Sequence, residues 1–223
     1  MEIQQRQHYC SFCLHSVGGA DDFCVNPSCG KTRPGAGWPG FFEAGENIDG
    51  RYRIRRRLGA GGAGVTYRAI DLVADDPDLR DVALKVLHQD RGQGILRDRL
   101  RLEGEVLQRL EHPHVVAYRD LRVDGSGPYY LATGFVPGGS LDEPLRTTGR
   151  LSARIVLVVG AQIARALAAA HAIGVTHRDL KPSNILVRSL DEYPLHVRVA
   201  DWGIARAVPE FIPRRHVTMQ GGF

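Results

Sequence analysis

Three groups of residues suited to chemistry come first along the chain. All four cysteines of the chain, Cys10, Cys13, Cys24 and Cys29, lie in the stretch CSFCLHSVGGADDFCVNPSC. Their C-x2-C and C-x4-C spacing makes two short knuckles able to offer four thiolates to one tetrahedral ion. Zn2+ suits such a set because it is borderline soft and imposes no ligand-field geometry. Two disulfides or a redox pair are the other uses of the same thiols. MEIQQRQHYC lacks the basic-then-apolar run of a secretory leader, so a cytoplasmic chain is expected and the zinc reading is favoured. His8 and His15 read as solvent residues beside the knuckles.

The second group is the glycine run LGAGGAGVTY, in which Gly59, Gly61 and Gly64 make G-x-G-x-x-G. Such a run lets backbone amides close on phosphates without side-chain collision. Dinucleotide-binding folds use it where a helix comes next, but here Val65-Thr66-Tyr67 reads as a strand, so the loop is a hairpin tip. The third group centres on Lys85 in VALKVL, 21 residues beyond Gly64. A lysine between apolar neighbours in a strand is costly to bury without an anion. Phosphates on one side and a carboxylate on the other would serve. Glu103 and Glu105 are the candidates, and Glu103, nine residues before His112-Pro113, is preferred.

The elements that must hold these groups are set by pattern. YRIRRRL, VTYRAIDL, DVALKVL, VVAYRDLRV and YYLATGFV read as strands, with a helix at about 96–110 between the third and fourth. Strands followed by helices predict an α+β architecture. IVLVVGAQIARALAAAHAIG is interrupted by Gln162, Arg165 and His171, and reads as a core helix rather than a membrane span. From Lys31 to about Gly50 two prolines and five glycines read as a linker without regular structure, with Trp38, Phe41 and Phe42 packing on the next domain.

Composition sets the frame. With 223 residues, 43% hydrophobic and 24% charged, the chain can hold one large or two small soluble domains. A net charge of +4 does not point to nucleic acid or a membrane surface. Arg6, Lys31 and Arg33 beside the cysteines are too few to change that, so a protein partner or a structural role is expected for the cysteine module. Of the 29 basic residues only Lys31, Lys85 and Lys181 are lysines. Such sparing use reflects either biased coding or places where a compact ammonium is wanted.

VTHRDLKPSNILV (175–187) and Asp201-Trp202-Gly203 complete the picture. With the glycine loop, Val-Ala-Leu-Lys and the helix glutamate they occur in the order of the eukaryotic-like, bacterial-type Ser/Thr protein kinases, which the chain closely resembles. The resemblance implies a protein-kinase-like bilobal fold: an antiparallel N-lobe sheet with its αC helix and a partial helical C-lobe, while the cysteine module in front separately resembles a zinc ribbon. The implied divisions are a zinc-ribbon-like module at 1–33, a linker at 34–50, the N-lobe at 51–136 and the partial C-lobe at 137–223.

The resemblance further implies an ATP- and Mg2+-dependent transfer of the γ-phosphoryl group to Ser/Thr hydroxyls of protein substrates. It casts Asp179 as the residue orienting the substrate hydroxyl, and Asn184 and Asp201 as Mg2+ ligands. Lys85 would hold the α/β-phosphates and pair with Glu103, while Lys181 approaches the γ-phosphate. Gly59, Gly61, Gly64, Thr66, Ala83, Thr133 as gatekeeper, the Phe135-Val136 hinge and Leu186 would enclose the nucleotide. His177 is implied to pack and hydrogen-bond rather than act as a base. Thr66, Trp202 and Gly134 depart from the family's usual valine, phenylalanine and hinge acid. The sequence stops at Phe223, before the family's Ala-Pro-Glu motif, within the implied activation segment, where Thr218 is the candidate phosphosite facing Arg178. A kinase-derived nucleotide-binding scaffold with a zinc-ribbon interaction domain is the competing reading.

Overall fold

The structure is a computed structural model of the chain, and it describes residues 8–10, 16–18, 20–28, 41–61, 63–88, 93–125, 127–190 and 194–202. Cys13, Cys29, Trp38, Gly203 and Thr218 lie outside the described residues. At the front, β1 (His8–Tyr9) and β2 (Ser16–Val17) pair antiparallel. Cys10, Val17 and Cys24 form a small buried cluster there.

The main sheet comes next. Its strands are β3 (Asn47–Ile48), β4 (Tyr52–Ala60), β5 (Gly64–Asp71) and β6 (Asp81–Leu87), then, after helix α1 (Gln93–Arg109), β7 (Tyr118–Arg122) and β8 (Tyr130–Gly134). They are antiparallel in the order β3-β4-β5-β6-β8-β7. Side chains alternate faces along a strand. Val65, Tyr67 and Ala69 of β5 and Val82, Leu84 and Val86 of β6 therefore share one buried face with Phe41, Ile48, Tyr52, Ile54 and Ala132. The same alternation sends Thr66, Ala83 and Lys85 to the opposite face, where Thr66 lies beside Lys85 and Ala83 beside Thr133.

A second core lies under that opposite face. It joins Leu100, Val106 and Leu107 of α1 to Leu131 of β8 and to Val159, Ala166 and Ala170 of α3 (Ala153–Ala172), which comes after the short helix α2 (Asp142–Thr148). The hairpin β9 (Ile185–Val187) and β10 (Val197–Val199) and the Trp202 ring complete it. Val199 N donates to His114 O (2.8 Å) and Val116 N to Val199 O (3.1 Å), so the segment after α1 is stitched to β10. Gln162 on α3 is buried, donating to Leu195 O (2.6 Å) and accepting from Val197 N (2.8 Å).

Two expectations need correction. The stretch read as an unstructured linker ends in β3, because Ile48 is buried and the Asp49-Gly50 turn, at φ 58° and 67°, folds it back onto Tyr52. Phe41 does pack as expected, under the Arg57 guanidinium at 4.0 Å, and Phe42 meets Tyr67 edge to face. The fourth strand starts at Tyr118 rather than Val115, because Val115 bridges to Val199 instead. Helix α3 is long and apolar enough to cross a membrane by length and composition, but it buries only one face among the described residues. Val159, Gln162, Ala166 and Ala170 face the core while Val156 and Leu157 are exposed.

Candidate active site

Lys85 is the hub. Its Nζ donates to Glu103 Oε2 at 2.8 Å and to Asp201 Oδ1 at 2.7 Å. Three elements meet at this ammonium: β6 carries Lys85, α1 carries Glu103, and the stretch after β10 carries Asp201. Helix α1 lies against β7 and β8, which turns the Glu103 side chain toward the sheet and leaves it 6% exposed. Burial disfavours the Lys85 ammonium, but the facing Glu103 and Asp201 carboxylates outweigh it and hold its pKa above the ordinary value. Burial pushes the Glu103 carboxyl up, against the pull of Lys85. Glu105, the alternative, stays half-buried outside this pair.

The loop before β9 supplies the second half of the site. Asp179 Oδ2 accepts from Lys181 Nζ at 2.6 Å, and this bond draws the Asp179 carboxyl below its ordinary range. Asn184 Nδ2 donates to Asp179 O at 2.8 Å, fixing the backbone that carries the acid. Ala200 N donates to Asn184 O at 2.8 Å, which seats Asp201 beside Asn184. Arg178 and Asp201 take the left-handed backbone conformation at φ 61° and 62°. Non-glycine residues seldom adopt it, and such positions concentrate at functional sites.

His177 is 2% exposed. Its Nε2 donates to Ala200 O at 2.9 Å and its Nδ1 accepts from Asp179 N at 3.4 Å, so both ring nitrogens serve the backbone. The ring stands edge-on to Trp202 at 4.7 Å, and Trp202 Nε1 donates to Val199 O at 3.1 Å. The larger aromatic is thus fully enclosed with its polar atom satisfied.

Above the hub, Gly61 N donates to Gly64 O (2.9 Å) and Gly64 N to Gly61 O (3.3 Å), closing the hairpin tip. A β-carbon on Gly64 would collide with the Val86 carbonyl, whereas Gly59 and Gly61 face open space. His88, which the sequence reading missed, ties this tip down. Its Nε2 donates to Gly61 O at 2.9 Å and its N to Ala63 O at 3.2 Å. No signal in the sequence pointed to this.

The walls run as the strand register dictates. Thr133 Oγ1 donates to Ala83 O at 3.5 Å, and Phe135 and Val136 leave β8, with Phe135 stacked under Arg68 at 4.7 Å. Leu186 on β9 is half-buried and bridges to Ser140.

The donors suit a hard cation. Asn184 Oδ1 accepts no hydrogen bond among the described residues, and the Asp201 carboxylate adds a second oxygen, the set that Mg2+ takes. Among the described residues no cluster of three His, Cys, Asp or Glu side chains has metal-binding geometry. Of the four cysteines, Cys10 and Cys24 are described, and they are buried together.

Residues 52–219 match the protein kinase domain family. The serine/threonine-protein kinase PknJ of Mycobacterium tuberculosis is 41% identical over 159 residues, covering 70% of this chain and 26% of that protein. PknA of the same species is 37% identical over 169 residues, covering 74% of this chain and 37% of the relative. PrkC of Bacillus subtilis is 36% identical, with 74% and 24% covered. The chain therefore spans about a quarter to a little over a third of these relatives. The crystal structure of the M. tuberculosis PknI kinase domain superposes with a TM-score of 0.59 at 29% identity, covering 74% of this chain and 64% of that one.

Proposed function

The chain belongs to the protein kinase family, and from that premise we propose that it transfers the γ-phosphoryl group of ATP to serine or threonine hydroxyls of protein substrates. The observation that carries this is the Lys85 ammonium, held between Glu103 and Asp201 in a position to exchange a carboxylate for phosphate oxygens. Two neighbouring features support it. Asp179 is ionised, with a 29% exposed side chain, and so can accept a hydrogen bond from an incoming hydroxyl. Lys181, on the same carboxylate, can follow charge onto a transferring group.

In this reading Lys85 positions the α/β-phosphates and Glu103 keeps Lys85 in place. The amides around Gly59, Gly61 and Gly64 cover the phosphates. Ala83, Thr66, Thr133, Leu186 and the Phe135-Val136 segment enclose the base. Asn184 and Asp201 would hold Mg2+, which neutralises charge on the phosphate oxygens when bound. Thr218 is kept as the proposed phosphosite, with Arg178 as its partner. A substrate drawn from the ATP pool fits a domain on the cytoplasmic side.

The module at 1–33 is proposed as a zinc ribbon, with Cys10, Cys13, Cys24 and Cys29 as ligands and a protein partner. The burial of Cys10 against Cys24 supports this, since two knuckles that share an ion must converge. Metal analysis of the reduced chain tests it: one zinc per chain is expected, and none would overturn it.

Phosphotransfer from labelled ATP to a generic Ser/Thr substrate tests the main proposal. The wild-type chain should exceed Asp179→Asn by about 10^2-fold or more. Equal, background counts from both would remove it.

A further inference from the structure

Behind the start of the hinge lies a second charged cavity, which shares no lining residue with the Lys85 site. It encloses about 500 Å³ between the end of α1, the segment after it, β7 and β10, with Leu107, Val116, Arg119 and Arg198 among its walls. Arg119 Nη2 and Arg198 Nη1 both come within 3.7 Å of the point where a β-carbon on Gly134 would sit. Both guanidinium groups thus converge on the face of Gly134.

These two cations lack counter-charges among the described residues. Among the described residues neither Arg119 nor Arg198 forms an ion pair, and Arg119 Nε is buried with no acceptor. Among the described residues its side chain donates from Nη1 to the adjacent Tyr118 O at 3.3 Å. Glu111, the one acid in the wall, is exposed and reaches neither. Burial, with Arg119 and Arg188 near, lowers the pKa of the Arg198 guanidinium. Like charges held together in a partly dry cleft raise the energy of the empty site, and an anion between them relieves it.

We propose that Arg119 and Arg198 form a binding site for an oxyanion, best matched by a phosphate monoester or inorganic phosphate, on the rear of the hinge. Guanidinium forks complement tetrahedral oxyanions, and two of them offset a dianion. Arg188, on the neighbouring hairpin, adds long-range positive potential. The site stands apart from the nucleotide reading and does not require phosphoryl transfer to operate.

The test uses the full chain labelled with 15N-arginine, titrated with inorganic phosphate at constant ionic strength and, in a parallel arm, with O-phosphoserine. The Arg119 and Arg198 side-chain signals should move along one saturable curve, weakened about tenfold or more in Arg119→Met and in Arg198→Met. Tighter binding of phosphoserine assigns the source to a phosphorylated side chain, and equal binding assigns it to a free anion. Both outcomes support the site. A non-saturating drift shared with chloride, or shifts that spare both arginines, would overturn it. The wild-type signals decide the matter even if a methionine variant misfolds.

Discussion

Lys85 and Asp201 stand 116 positions apart in the chain and 2.7 Å apart in the folded protein. The same ammonium reaches Glu103 on α1. One side chain thereby ties the sheet, the helix and the loop after β10 into a single unit, so the first prediction concerns its removal.

Lys85→Met leaves Glu103 buried and unpaired, which should cost about 3–5 kcal/mol of folding stability. The loss should depend on pH. Glu103 is already held above its ordinary 4.5 by burial, and without Lys85 it rises further. A carboxyl raised in the folded state stabilises below its unfolded value and is a liability as pH climbs through the folded one. Urea midpoints of Lys85→Met should therefore fall as pH rises above about 4.5, while Lys85→Met with Glu103→Gln stays flat.

The glycines of the loop should separate by environment. Gly64→Ala drives a methyl into the Val86 carbonyl and should lower stability by about 1–3 kcal/mol. Gly59→Ala meets nothing within 4 Å, so its thermal midpoint should match wild type while nucleotide affinity changes. Equal midpoints for the two variants would contradict the close approach seen at Gly64.

Trp202 is fully buried against His177. Trp202→Ala should cost about 3–5 kcal/mol by opening a void. Trp202→Phe should cost about 1 kcal/mol for the hydrogen bond to Val199 O, plus a smaller packing loss. Chemical denaturation of both variants gives the comparison.

His114 sits between His112 and His196, with ring centroids at 5.5 and 4.8 Å, and donates from Nδ1 to Val197 O. Burial, and then His196, His112 and Arg165, press its pKa below 6.5. The unfolded chain takes up this proton first, so stability is present above pH 6.5 and is lost as pH falls through the lower folded value. His114→Asn should flatten the decline of the denaturation midpoint between about pH 7 and 5.

Much of the site was legible in the residues themselves. A lysine in an apolar strand demanded an acid, and Glu103 answers it. The 2.0-residue strand period put Lys85 and Ala83 on one face, while the pairing of Thr66 with Lys85 came from the sheet register. The bonds of His88 to the glycine tip and of Gln162 to the β9–β10 hairpin were not legible. Each depends on which backbone carbonyl tertiary packing brings near, and neither residue type announces that. The β3 turn was legible and missed, since Asp49-Gly50 after a buried isoleucine is a hairpin signal.

The clasp at the sheet's outer edge bears on where the chain can be divided. Arg51 binds Asp71 at 2.8 Å and Asp120 at 3.0 Å, and the Tyr52 and Tyr130 hydroxyls donate to that same Asp120. The family match begins at Tyr52, one residue past the arginine that neutralises both acids. A fragment started there would strand Asp71, 3% exposed, and strip away β3 and the Phe41 ring. The physical border of the kinase unit therefore lies at or before Phe41, upstream of the border that sequence similarity draws.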